Sequence, residues 1–166
     1  MRCDYINAHL PLDLIVDFKT EVLPIYEYVA SFLVKVLQRE SYESSSQNLL
    51  DLGCGTGAST RMLARAYPQA KITAIDQSKN MLKVAGHKFG LSDAKRFEQE
   101  VELIFGGEIP AALKQYWEDC RRSNYSSGKI ELVEKDLKDI STLVSQEFEG
   151  AMANHSLHWL KEQLPS

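Results

Sequence analysis

Asn48-Leu49-Leu50-Asp51-Leu52 runs directly into Gly53-Cys54-Gly55-Thr56-Gly57-Ala58, and the reading of this stretch decides the fold. A short apolar run that stops abruptly in alternating glycines predicts a buried strand entering a tight turn. Residues 58–67 then predict a helix that stops before Pro68. Glycines allow φ > 0 and carry no Cβ, so the main chain at this bend is open to close approach by a ligand.

Working outward, Lys71 to Asp76 predicts a second strand, followed by Ser78 as N-cap and a helix through about His87. Ile130 to Lys135 predicts a third strand, Leu137 to Gln146 a short helix, and Glu149 to Ala153 a fourth strand. Strand and helix alternate, which predicts an α/β fold: a mostly parallel sheet with helices on both faces. Residues 91–127 exceed what this alternation needs. Phe97, Val101, Leu103 and Ile104, then Gly106-Gly107, then Leu113, Tyr116, Trp117 and Cys120 predict an inserted helical hairpin. We expect it to be an edge cover or partner surface rather than a lid, because a helix after a parallel strand runs back toward the amino ends. Before the core, residues 13–38 read as one amphipathic helix with a kink at Pro24, and 41–47 as a polar linker. The expected division is therefore a helical segment, 1–47, and a core, 48–166.

The 166 residues suit one domain with a single core. With 44% hydrophobic and 25% charged residues, the composition excludes collagen-like, low-complexity and wholly disordered classes. A formal charge of -4 is a poor match to a phosphate backbone, so no direct nucleic-acid partner is expected. Cys3, Cys54 and Cys120 are far apart and form neither a disulfide framework nor a zinc spacing, which predicts a reducing, cytoplasmic setting and no metal. The most apolar window, Tyr28 to Leu37, contains Lys35 and is too short to span a bilayer.

Charge separates the ligands such a bend can take. Gly53-x-Gly55-x-x-Ala58 satisfies the dinucleotide fingerprint, but a diphosphate would lie beside Asp51, and no Arg or Lys stands between Asp51 and Thr60 to offset that carboxylate. An ammonium and a sulfonium find the same carboxylate favourable, so S-adenosylmethionine fits better than NAD. Asp76, ending the second strand, can accept both ribose hydroxyls. Met81-Leu82 can support an adenine or simply pack in the core, and Asp136 can meet an adenine amino group or cap a helix.

DLGCGTG, AID-QS-KNML, EKDL and ANHSLHWL, in this order and spacing, resemble the successive motifs of class I S-adenosylmethionine-dependent methyltransferases, closest to the small-molecule, type 11/12-like branch. The resemblance covers residues 48–88 and 130–160. It implies a Rossmann-like three-layer sandwich with strand order 3-2-1-4, incomplete beside the family's seven strands and thus C-terminally truncated. It implies that Asp51 with Gly53, Gly55 and Gly57 holds the methionine portion, Asp76 the ribose, and Asp136 with Leu137 the adenine, while Asn154 closes the methionine side; Cys54, Gln77 and Met81 complete the expected cofactor-binding set. His155 and His158 follow the fourth strand and are the candidate bases for a small-molecule acceptor that arrives protonated. Two other functions compete: an NAD-dependent oxidoreductase, and an inactive cofactor-binding module completed by a partner or by self-association through the sheet edge left open after residue 153.

Overall fold

The computed structural model describes residues 28–37, 48–123, 129–143 and 148–153. Helix α1 occupies 28–37, followed by β1 (Asn48–Leu52), α2 (Ala58–Ala66), β2 (Lys71–Asp76), α3 (Lys79–Lys88), α4 (Ala94–Ile104), α5 (Ala111–Arg122), β3 (Ile130–Glu134), a 3-10 helix (Leu137–Leu143) and β4 (Gly150–Ala153). The expected Pro24 kink and the 41–47 linker lie outside the described residues.

The four strands form one parallel sheet in the order β3-β2-β1-β4. Leu50 pairs with Thr73 and with Ala151, and Thr73 with Glu131. This is the Rossmann-like arrangement that the alternation of elements predicts, with the glycine bend at the carboxyl end of a central strand. One face of the sheet carries Leu49, Ile72 and Met152, which share a core with Leu63 of α2 and Val34 of α1. Ala85 of α3 and Phe89, its C-cap, pack with Ile130 on the β3 side of that core. Leu50, Thr73 and Ile75 on the opposite face are buried as well, so the sheet is covered on both sides.

Helices α4 and α5 form the expected hairpin and seal the outer face of α3. Val84 meets Phe97, Val101, Ile109, Leu113 and Trp117 in a separate core. Leu103 and Ile104 do not join it: Leu103 is 84% exposed and Ile104 is exposed too. For Leu103 the reason is angular. Phe97 and Val101 of α4 and its C-cap Phe105 recur every four residues along one stripe, whereas Leu103 lies about 200° around the helix from Val101; Ile104 borders the stripe at the last turn and is far less exposed than Leu103. Among the described residues, no helix is long and apolar enough to cross a membrane.

Candidate cofactor site

The bend at 53–57 is built by three left-handed glycines: Gly53, Gly55 and Gly57 have φ of 70°, 55° and 84°. At Gly57 a Cβ would come within 2.7 Å of the Phe89 ring, so glycine is required there for packing as well as conformation. At Gly55 nothing lies within 4 Å of where a Cβ would stand, which leaves open space directly against the main chain.

The N–H groups of this bend are largely committed within the protein. Cys54 N–H donates to the Ile75 carbonyl (2.8 Å), Gly57 N–H to the Cys54 carbonyl (2.9 Å), and Gly55 N–H to Asp76 Oδ2 (2.8 Å). A loop that cradles phosphate must turn such groups toward its ligand. Here they are spent internally and a carboxylate stands beside the opening, a donor set that suits a cation-bearing nucleoside and not a diphosphate.

Asp76 sits at the end of β2, half-buried, with Oδ1 accepting from Ser78 N–H at 2.8 Å and Oδ2 held by Gly55. Each oxygen thus accepts from a backbone donor, which sets the plane of the carboxylate. Ser78 caps α3 by accepting from Met81 N–H at 3.3 Å. Beyond β3 the chain crosses the end of β2, where Lys135 N–H donates to the Asp76 carbonyl at 3.0 Å. That contact brings Asp136 and Leu137 to the Asp76 side of the site. Asp136 Oδ1 accepts from Lys138 N–H (3.0 Å), as a capping acid does.

Asp51, in β1 ahead of the bend, is fully buried. The Ser59 hydroxyl lies 3.0 and 2.8 Å from its two oxygens, and the Thr60 hydroxyl donates at 2.6 Å. Burial pushes the Asp51 carboxyl up to about 6; the Thr60 and Ser59 hydrogen bonds oppose this, and the Asp76 charge adds to it. Its oxygens are engaged by α2, so its influence on a ligand is the field it projects and the loop it anchors. Burial likewise pushes the Cys54 thiol well up, with the Asp51 and Asp76 charges adding to the effect, so this thiol is inert.

Of the other expected site residues, Gln77 is exposed beside Asp76, and Met81 packs half-buried against the hairpin core. Asn154, His155 and His158 lie outside the described residues. Ser59 and Thr60, which hold Asp51, are absent from the expected set. Their signal was a pair of hydroxyls in the first turn of a helix, facing back at an acid eight and nine positions earlier. Among the described residues, no group of three or more His, Cys, Asp or Glu is placed to hold a metal ion.

The parallel 3-2-1-4 sheet and its glycine bend define a Rossmann-like α/β domain. Residues 49–106 match the family model described as "Methyltransferase domain". Over 80 residues the chain is 33% identical to a malonyl-[acyl-carrier protein] O-methyltransferase of Bacillus anthracis, covering 48% of this chain and 30% of that protein. Over 56 residues it is 46% identical to a trans-aconitate 2-methyltransferase of Afipia carboxidovorans, covering 34% of this chain and 21% of that one. Among solved structures, the plantazolicin methyltransferase in complex with SAH aligns with a TM-score of 0.49 at 13% identity, over 98% of this chain and 55% of that one. Residues 49–106 are thus similar to a methyltransferase domain, and the matches span less than half the length of the two curated relatives named here.

Proposed function

We propose that this chain binds S-adenosylmethionine at the 53–57 bend and transfers its methyl group to a small organic acid or a carrier-linked acyl group. The observation that carries the reading is the Asp76 carboxylate, fixed by Gly55 and Ser78 N–H beside the open space over Gly55. In this reading Asp76 receives the ribose hydroxyls with Gln77 alongside, and Asp136, Leu137 and Met81 border the adenine. Gly53, Cys54, Gly55 and Gly57 face the methionine portion, and the field of Asp51 favours its cationic groups. Bound there, the cofactor supplies a methyl group on a sulfonium, with a neutral thioether as leaving group. The protein's task is then alignment and exclusion of water.

The acceptor class is proposed from the names of the two relatives, which specify malonyl-carrier protein and trans-aconitate. An ionised carboxylate is already nucleophilic and needs no general base. A hydroxyl acceptor would call on His155 or His158. Three cysteines without a pairing or metal spacing support a cytoplasmic setting. A second reading, a module completed by a partner or a second copy, rests on β4 being an edge strand of the described sheet.

Calorimetry with S-adenosylhomocysteine tests the cofactor site. We expect micromolar binding that weakens at least tenfold in Asp76→Ala, about the 1.4 kcal/mol of a lost bidentate contact. Equal affinity in the two proteins, or tighter binding of NADH than of S-adenosylhomocysteine, would overturn the reading.

A further inference from the structure

Lys88 is the last residue of α3 and is 2% exposed. Helical side chains lean toward their own N-terminus, which for α3 lies at the carboxyl ends of the strands. The Lys88 stem therefore rises back toward the glycine bend. Its Nζ donates to the Thr56 carbonyl at 2.7 Å and lies 3.2 Å from Thr56 Oγ1. The Tyr116 ring of α5 stands 5.2 Å from the same ammonium, in cation–π range.

The Thr56 carbonyl and the Gly57 N–H belong to one planar peptide unit, as do the Cys54 carbonyl and the Gly55 N–H. Gly57 N–H donates to the Cys54 carbonyl, and Gly55 N–H donates to Asp76 Oδ2. Lys88 Nζ, the 56–57 peptide, the 54–55 peptide and the Asp76 carboxylate thus form one unbroken head-to-tail chain of hydrogen bonds. Aligned amides of this kind polarise one another, and each fixes the plane of the next. Glycine-rich peptides have little else to fix them.

We infer that Lys88 is a positioning residue: through two peptide units it sets the orientation of Asp76, and so makes the α4–α5 hairpin a brace of the cofactor site. The inference deepens the methyltransferase reading and rests on it for its functional meaning. The hairpin is then a support of the site, although its chain begins on the far side of the sheet.

Residue-resolved amide exchange on the full chain, without ligand, tests the brace. In Lys88→Met we expect Gly55 and Gly57 amides to exchange at least tenfold faster, with β1 and β2 amides unchanged, and Lys88→Arg to restore most of the protection. Tyr116→Ala is expected to accelerate the same two amides by a smaller factor, and it serves where Lys88→Met fails to fold. Unchanged exchange at Gly55 and Gly57, or acceleration spread evenly across the sheet, overturns the inference. S-adenosylhomocysteine calorimetry on the same proteins reads the functional half: Lys88→Met should bind at least fivefold more weakly than wild type, and equal affinity overturns positioning. A wild-type chain that binds no S-adenosylhomocysteine would sink the methyltransferase reading, while amide exchange still decides whether Lys88 braces the bend.

Discussion

The glycine bend and the hairpin pocket each bury a titratable side chain, and they treat it in opposite ways. Asp51 is enclosed with two hydroxyl donors, and burial raises its carboxyl to about 6, so it still carries its charge at neutral pH. His87 is stacked on Phe97 (centroids 4.4 Å apart) and set edge-on to Trp117 (4.8 Å). Burial, reinforced by the adjacent Arg121, lowers it to about 4, so it is neutral. Its Nε2 faces Arg121 Nη1 at 2.6 Å, and Glu98 Oε1 lies 3.4 Å away. One pocket keeps a charge at neutral pH, hydrogen-bonded beneath the glycine bend. The other removes a charge where only packing is at stake. Desolvation acts on both, and what differs is whether the neighbours donate to the ionised form or repel it.

The strongest way to break this contrast is to empty the hairpin pocket. Trp117 is buried at the centre of that core, and Trp117→Ala should lower unfolding stability by about 3–5 kcal/mol through the cavity it leaves. Urea unfolding measures this; a loss below 1 kcal/mol would mean that the hairpin contributes little to the fold.

A smaller effect sharpens the contrast through pH. Asp51 has a raised folded pKa, so its contribution is most favourable below about 4 and is lost as pH rises through about 6. His87 has a lowered folded pKa, so its contribution is present above about 6.5 and is lost as pH falls toward about 4. Over this shared window the two slopes oppose each other. From the shifts each is worth up to about 3 kcal/mol, less for His87, whose Arg121 neighbour is 27% exposed and partly screened by water. Asp51→Asn should therefore lose stability on acidification from pH 6.5 to 4 more steeply than wild type, and His87→Gln less steeply. Urea midpoints across that range check both signs, and parallel curves would dissolve the contrast.

The smallest expected effect marks the edge of the hairpin pocket. Leu103→Lys should change stability by less than about 0.5 kcal/mol, because Leu103 faces solvent. A larger loss in urea unfolding would place Leu103 in a contact that the hairpin core lacks.

Much of the fold was legible because local signals agreed. The apolar run into Gly53-Cys54-Gly55, the acid ending β2 and the Ser78 cap each specified a boundary from nearby residues, and strict alternation left a parallel sheet as the arrangement to expect. Leu103 misled because apolarity was read without fixing the angle of the stripe, and Ile104 because it stands on the helix's last turn, beside the stripe but past the end of its cover. The place of Asp76 at the end of β2 and of the glycines in the bend was legible from position along the chain. Lys88 and Ser59 were not, since their meaning comes from the approach of segments that are distant in sequence or turned back on the strand. Lys88 looks like an ordinary helix-terminal lysine until α3 is docked and Thr56 stands above it.

The register of the sheet also ranks its strands by the conformational freedom their pairing removes. Lys71 follows Asn48 by 23 residues, whereas Gly150 follows its partner Leu49 by 101. Closing the longer span costs about 1 kcal/mol more of chain entropy by logarithmic scaling. β4 must recover that deficit over four paired residues, with one neighbour among the described strands. Among the described strands the chain entropy of pairing is therefore lopsided: β1 and β2 close the shortest span of the sheet, and β4 closes the longest.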